Sequence, residues 1–241
     1  MTRKRSADSR RQFEFYMDLL GHDIMNSNQA VLSYLELIIS SPGADRKVKA
    51  LAEKAIQHVR TSTLLIENVK RLMAARSIDP DSLKPIDVVS ALRDAEGRVG
   101  RHFPSKKISF EIPSEPAKAM ALGEELAQDL IFNVLVTAVR LNPGNDVRLT
   151  MSLSPGEAAG RPVWVLRVED NEAKLPPFLD GEGVEATYAQ DISVAVKTTG
   201  ILFAKMMAKS IGGDFEAHAL SKEPGQPGAA YTVTFRRAVG R

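Results

Sequence analysis

The chain has 241 residues, 44% apolar and 26% charged, which fits one or two globular domains and excludes disorder throughout. With no cysteine and four histidines (His22, His58, His102 and His218), none spaced as H-E-x-x-H, disulfide, thiolate-metal and thiol-nucleophile chemistries are excluded, and a histidine-rich metal site is not expected. Lys and Arg exceed Asp and Glu by 32 to 30, a net charge of +2, so no one-sign field argues for a nucleic-acid partner.

The basic excess is local. Residues 1–10 and the two that follow carry Arg3, Lys4, Arg5, Arg10 and Arg11 against Asp8 alone, and read as a solvated, disordered basic arm. No apolar stretch follows, so this is not a secretory signal, and no run approaches the roughly 20 residues of a membrane span. The expected location is cytoplasmic.

From about Arg11 to Ile39 the pattern is helical. Phe13, Met17, Leu20, Ile24, Val31, Leu35 and Ile38 fall within about 60° of one another on the helical wheel, a narrow apolar stripe. Ser40-Ser41-Pro42-Gly43 stops the helix with turn chemistry. A second helix follows from about Asp45 to Arg76. Its Val48, Ala52, Ala55, Val59, Ser62, Ile66, Val69 and Met73 alternate by fours and threes, a heptad seam. Two long helices and a short turn make an αα-hairpin over residues 11–78. One hairpin cannot cover both stripes, so two copies are expected to form a homodimeric four-helix bundle.

Prolines at Pro80 and Pro85 bound a linker, and residues 85–241 change to mixed α+β grammar. Helices are expected over Ile86–His102, Glu124–Leu141 and Gln190–Ile211. Alternating strands are expected over Lys107–Ile112, Val147–Leu153 and Val163–Val168. Asp214–Leu220 and Tyr231–Arg236 read as a hairpin around a Pro/Gly loop. This order suggests helices layered on one face of a mixed sheet, with Trp164 in the core.

His22 lies about 200° from Leu20, opposite the apolar stripe, and Asn26, Gln29 and Ser33 share its face. An exposed imidazole is a good nucleophile near neutral pH, and the carboxylate of Asp23 could orient it or take its proton. An amide one turn on, at Asn26, could position a water or a phosphoryl oxygen. A surface histidine on an amphipathic helix with no role has the same pattern.

Leu19-Leu20-Gly21-His22-Asp23-Ile24-Met25-Asn26, leading into Tyr34-Leu35-Glu36-Leu37, resembles the phospho-acceptor box of two-component sensor histidine kinases. Four further segments match that family in order. Leu83–Val88 resembles the start of its second domain, and Asp129–Val139 its asparagine box. Val168-Glu169-Asp170-Asn171 resembles its first glycine box, and Gly200-Ile201 to Gly213 the end of its second glycine box and the helix beyond. The resemblance spans about residues 11–238. It implies a dimerisation and histidine-phosphotransfer hairpin followed by a Bergerat-type α/β sandwich that binds ATP and Mg²⁺.

By that resemblance His22 would be the phosphorylated histidine, Asp23 the adjacent acid/base, and Asn26 the residue that positions water when a partner's phospho-aspartate is hydrolysed. Asn26, Gln29, Ala30 and Ser33 would dock a response-regulator receiver domain. Asn133, Thr137, Asp170 and Gly200 would contact the nucleotide, Asp170 at the adenine amino group.

The nucleotide boxes depart from the family pattern. Thr137 stands where a magnesium-binding asparagine is usual, and a hydroxyl is a poorer ligand at that reach. Glu172 and Lys174 replace two glycines and are expected to fill the space a nucleotide needs. Of the second box's glycines only Gly200 remains, with Thr198 in place of another. Asp180, Glu182, Glu185 and Asp191 make the lid region acidic, which opposes a triphosphate. Three functions stand open: a protein-histidine kinase, an ATP-independent histidine phosphotransferase or phosphatase, and a non-catalytic dimeric scaffold for receivers.

Overall fold

The structure, a computed structural model, describes residues 2–75, 82–114, 116–175, 192–221 and 226–238. By its internal contacts the chain divides into two compact units, Met1–Ala74 and Ala75–Arg241.

The first unit is a helical hairpin of α1 (Thr2–Ser40) and α2 (Arg46–Ala75). Helix α1 starts at Thr2 rather than Arg11, so residues 2–10 continue the helix instead of forming a disordered arm. Nothing between Thr2 and Leu20 breaks a helix, since the stretch lacks glycine and proline; the apolar period alone had suggested the later start. The turn is closed at its far end by Asp45, whose Oδ1 accepts the Lys47 N–H at 2.7 Å, an N-terminal cap for α2. Across the hairpin Asn28 Nδ2 donates to Thr63 Oγ1 at 3.1 Å.

The buried residues of α2 are Ala52, Ile56, Leu64 and Asn68. Of the expected heptad seam only Ala52 is among them. Val48 is exposed, and Ala55, Val59, Ser62, Ile66, Val69 and Met73 are half-buried. The α1 stripe is open in the single chain: Leu20 is 56% exposed, and Ile24, Val31 and Ile38 are also exposed.

The second unit contains β1 (Pro85–Asp87), α3 (Val88–His102), β2 (Lys107–Ser114), β3 (Met120–Leu122), α4 (Glu124–Leu141), β4 (Asp146–Ala158), β5 (Arg161–Asp170), α5 (Ile192–Ser210), β6 (Asp214–Ala219) and β7 (Ala229–Arg236). A five-stranded sheet has the order β2-β4-β5-β7-β6, parallel between β2 and β4 and antiparallel elsewhere. Its inward face is made by alternate residues: Val147, Leu149, Met151 and Leu153 on β4, Leu166 and Val168 on β5, and Tyr231, Val233 and Phe235 on β7. Helices α3, α4 and α5 pack side by side over the sheet, with α4 in the middle. Every residue of α4 from Leu130 to Val139 is buried, which is why that segment is apolar on all sides but for Asn133 and Thr137, rather than striped.

Two short strands were not expected. Pro85–Asp87 was read as the start of a helix, and Met120–Leu122 was not assigned; they pair antiparallel, Ile86 opposite Ala121. Asp87 explains the later helix start. Its Oδ1 accepts the N–H of Val89 at 3.3 Å, capping α3, and the N–H of Ala119 at 2.9 Å. Trp164 is core, as expected, at 8% exposure, and its Nε1 donates to the Met120 carbonyl at 3.1 Å. Residues 79–81 of the expected linker, which runs on to Pro85, and the lid carboxylates Asp180, Glu182, Glu185 and Asp191 lie outside the described residues.

Because one carboxylate satisfies donors from both α3 and the segment before β3, Asp87→Ala should cost about 2 kcal/mol of stability. Chemical denaturation should show a lowered midpoint with unchanged slope, and Asp87→Asn should recover part of the loss.

Candidate functional site

The residues singled out in the sequence fall into two clusters, one on α1 and one in the second unit.

On α1, His22 and Asp23 both present their side chains to solvent, each 69% exposed. His22 Nδ1 lies 3.2 Å from Asp23 Oδ1. An ionised carboxylate only accepts, so in the tautomer that satisfies this contact the ring hydrogen sits on Nδ1 and the lone pair on Nε2. Asn26 Nδ2 comes from one turn further, 3.3 Å from Nε2 and 3.2 Å from Nδ1. The donor amide and the nucleophilic nitrogen therefore share one small patch of helix surface. Gln29, Ala30 and Ser33 are exposed on the same helix, and the Ser33 hydroxyl is turned back onto the Gln29 carbonyl at 3.0 Å. The face is polar, shallow and open, suited to a macromolecular partner rather than to enclosing a small molecule.

Gly21 is buried although its neighbours are exposed. A Cβ there would meet Lys70 Cε at 2.6 Å and Ile66 Cγ2 at 3.1 Å, so glycine lets α2 approach beside His22. Sequence reasoning missed this contact, because nothing in the local pattern pairs Gly21 with a residue on the other helix.

In the second unit, Asn133, Thr137 and Asp170 are each 1% exposed. Asp170, at the end of β5, is held by a dense set of donors. Oδ1 accepts Asn142 Nδ2 at 3.0 Å and the N–H groups of Glu172 at 2.8 Å and Ala173 at 3.1 Å, while Oδ2 accepts Asn142 Nδ2 at 2.9 Å. Asn142 is fixed in turn: its Oδ1 accepts the Gly144 N–H at 2.8 Å, and its carbonyl accepts Lys106 Nζ at 2.8 Å. Lys106 also donates to Val139 O at 3.1 Å, closing the C-terminal end of α4. Burial lowers the Lys106 pKa, and the nearby Asp170 charge partly offsets that.

Asn133 has only a weak contact, Nδ2 to Met207 Sδ at 4.0 Å on α5. Thr137 faces Gly200, also on α5; a Cβ at Gly200 would coincide with Thr137 Oγ1. Gly200 thus serves the packing of two helices, and the buried Thr137 hydroxyl has no hydrogen-bond partner among the described residues. The side chains of Glu172 and Lys174, expected to fill the nucleotide space, are exposed instead. Their backbones do the work: Glu172 N–H binds Asp170, and Lys174 N–H binds the Leu141 carbonyl at 3.3 Å. What crowds this region is Asn142 on Asp170 and Thr137 on Gly200. A polar groove of about 400 Å³ beside Asp170 is lined by Asn142, Asp146, Arg148, Thr150, Asn171 and Glu172, and includes none of Asn133, Thr137 or Gly200. Among the described residues no group of three or more His, Cys, Asp or Glu could hold a metal ion, and no helix is long and apolar enough to cross a membrane.

Asn142 was not singled out in the sequence. Asn-Pro-Gly after a helix signals a turn, but not that its amide reaches a carboxylate 28 residues on.

No protein-family model matches the sequence, and no curated protein matches it. Among solved structures, a mycobacterial sensor histidine kinase, MprB, superposes with a TM-score of 0.51 at 16% identity, covering 66% of this chain and 99% of that one. The fold is that of a sensor histidine kinase. The helical hairpin followed by a Bergerat-type α/β sandwich is the expected fold class. Two other matches are the Acinetobacter baumannii histidine kinase AdeS (9% identity, 89% and 97% coverage, TM-score 0.46) and a bacterial phosphotransferase (16%, 88% and 91%, 0.46). At such identities the likeness concerns the histidine-kinase fold alone.

Tyr231 gives a test of the interior. Its buried hydroxyl has no partner among the described residues, and burial together with the Asp170 charge raises its pKa well above 10.0. With the folded pKa above the unfolded one, this group's contribution is intact below about pH 10 and is lost as the pH rises beyond it. Tyr231→Phe should unfold at a similar or higher temperature at pH 7 and lose less stability than the parent between about pH 10 and 11, measured by thermal melts.

Proposed function

We propose that this protein is a two-component signalling component in which His22 exchanges a phosphoryl group with a receiver-domain aspartate, and that its kinase-type domain does not load His22 from ATP. The observation that carries the proposal is the local triad: Asp23 at Nδ1 of His22, and the Asn26 amide at Nε2.

The chemistry follows from that arrangement. Asp23 keeps the ring hydrogen on Nδ1, so Nε2 attacks the phosphorus of an aspartyl phosphate. The N–P bond forms, the P–O bond to the receiver carboxylate breaks, and the carboxylate leaves with the electron pair. The Nδ1 hydrogen passes to Asp23 and then to solvent, discharging the ring. Asn26 donates to a phosphoryl oxygen during transfer, or holds a water in line with the phosphorus when the receiver is dephosphorylated directly. Asn26, Gln29, Ala30 and Ser33 form the docking face. The open stripe of Leu20, Ile24, Val31 and Ile38 supports a homodimer through the hairpin, since an apolar line of this length on a lone helix is unusual in water.

The case against ATP rests on fit. Asp170, the residue that would meet an adenine amino group, is 1% exposed and already accepts three N–H contacts on one oxygen and one on the other. Thr137, in the magnesium position, has its hydroxyl against the Gly200 backbone. Asn133 points to a thioether. These residues do not fit Mg-ATP. A second reading, a kinase that phosphorylates His22 from ATP, is favoured by the fold it shares with MprB.

The test has two arms: the protein incubated with Mg-ATP, and separately with phosphorylated receiver domains. Acid-labile phosphate should appear on His22 only in the second arm and vanish in His22→Ala. Label from ATP would defeat the proposal in favour of the kinase. No label in either arm would leave a scaffold. Asp23→Asn should slow transfer about 100-fold, the scale of lost general-base assistance.

A further inference from the structure

Lys70 is the cation that α2 brings to the residue before His22. The antiparallel register of the hairpin is marked twice. Asn28 bonds Thr63, and two turns back along α1 Gly21 meets Lys70, which lies two turns on along α2. The Lys70 Nζ lies 3.4 Å from where a Gly21 Cβ would stand, and its Cε 2.6 Å from it. A side chain at Gly21 would push the ammonium off this spot. Lys70 has an interaction of its own within the protein, so it is not a loose surface charge.

We infer that Lys70 is a phosphoryl-contacting residue: its ammonium neutralises the phosphoryl group at His22 Nε2 during transfer. The inference rests on the phosphotransfer reading of His22. Its physical basis is charge. A phosphoryl group brings up to about two negative charges to a position beside Asp23, itself a carboxylate. The orienting carboxylate that exposes the Nε2 lone pair therefore also repels the incoming group, and a nearby cation is needed to offset it. A lysine suits this task, being a compact point charge on a flexible stem that can follow the group from the open ring to the product. The bland alternative is that the Lys70 stem only fills the space over Gly21. Lys70→Met separates the two, because it keeps an unbranched apolar stem and removes the charge.

The experiment uses the full chain and phosphoramidate, a small phosphoryl donor that needs no receiver. In that step the Nε2–P bond forms, the P–N bond breaks, and the departing ammonia takes up the Nδ1 proton. Loading of His22 is followed by phosphorus NMR in parent, Lys70→Met, Lys70→Arg and Gly21→Ala, over a range of salt concentrations. Expected are a loading rate about tenfold lower in Lys70→Met, a rate within about twofold of parent in Lys70→Arg, and a loss of about two- to fivefold in Gly21→Ala. The fall in rate with salt should be flatter in Lys70→Met than in the parent. Loading of Lys70→Met at the parent rate overturns the inference, as does a loss in Lys70→Arg equal to that in Lys70→Met. Failure of the parent to load at His22 overturns it too. Phosphorylated receivers are tested beside it. If none labels His22 while phosphoramidate loading still depends on residue 70, the receiver-exchange reading fails and the assignment of Lys70 stands.

Discussion

The second unit depends on how a single buried carboxylate is satisfied. Asp170 ends the central strand β5, almost wholly out of water, where an ion without partners would be prohibitively costly. Its partners come from two places: the amide of Asn142 after α4, and the two N–H groups of the turn that follows β5. The same Asn142 carbonyl draws in Lys106 from the loop before β2. One anion thus ties the end of α4, the entry to the edge strand and the exit from β5 into a single polar knot. Both oxygens of Asp170 are taken up by donors of the protein itself.

The helical hairpin is built on the opposite plan. Its chemistry is exposed and local, three side chains within one turn of helix, and requires no enclosed cavity. The two units therefore differ in what they can lose. Changes in the second unit's interior alter a knot that holds helices to sheet. Changes on α1 leave the backbone untouched and alter only a surface.

Much of this was legible from residues in order. Helix α4 runs from Glu124 to Leu141, the bounds its apolar run and following Asn-Pro gave, and the alternation on β4 identified Val147 to Leu153 as inward-facing. The polar patch of His22, Asp23 and Asn26 followed from helical spacing alone. What could not be read were pairings across distance. Strands β1 and β3 have three residues each, too short for any period, and exist because Asp87 and Met120 find each other. The crowding of the Asp170 region was anticipated, but for the wrong reason. The lengths of Glu172 and Lys174 suggested obstruction, whereas the turn geometry sends both side chains to solvent and leaves their backbones facing in. Where α1 begins was missed because apolar periodicity marks a face that packs, not where a helix starts.

The order of the sheet has one more consequence. It is open, with β2 and β6 as unpaired margins, and margins of this kind invite another chain to add a strand. Both are blunted. Strand β2 carries Lys107 and Glu111, and its register shifts near Pro113, a residue that cannot donate to a neighbouring strand. Strand β6 is six residues long and begins with Asp214, tied by Lys209, with Glu216 and His218 following at alternate positions. Growth by sheet extension is thereby discouraged at both ends. The exposed apolar residues of α1, Leu20, Ile24, Val31 and Ile38, lie instead on a helix, where no strand can be added.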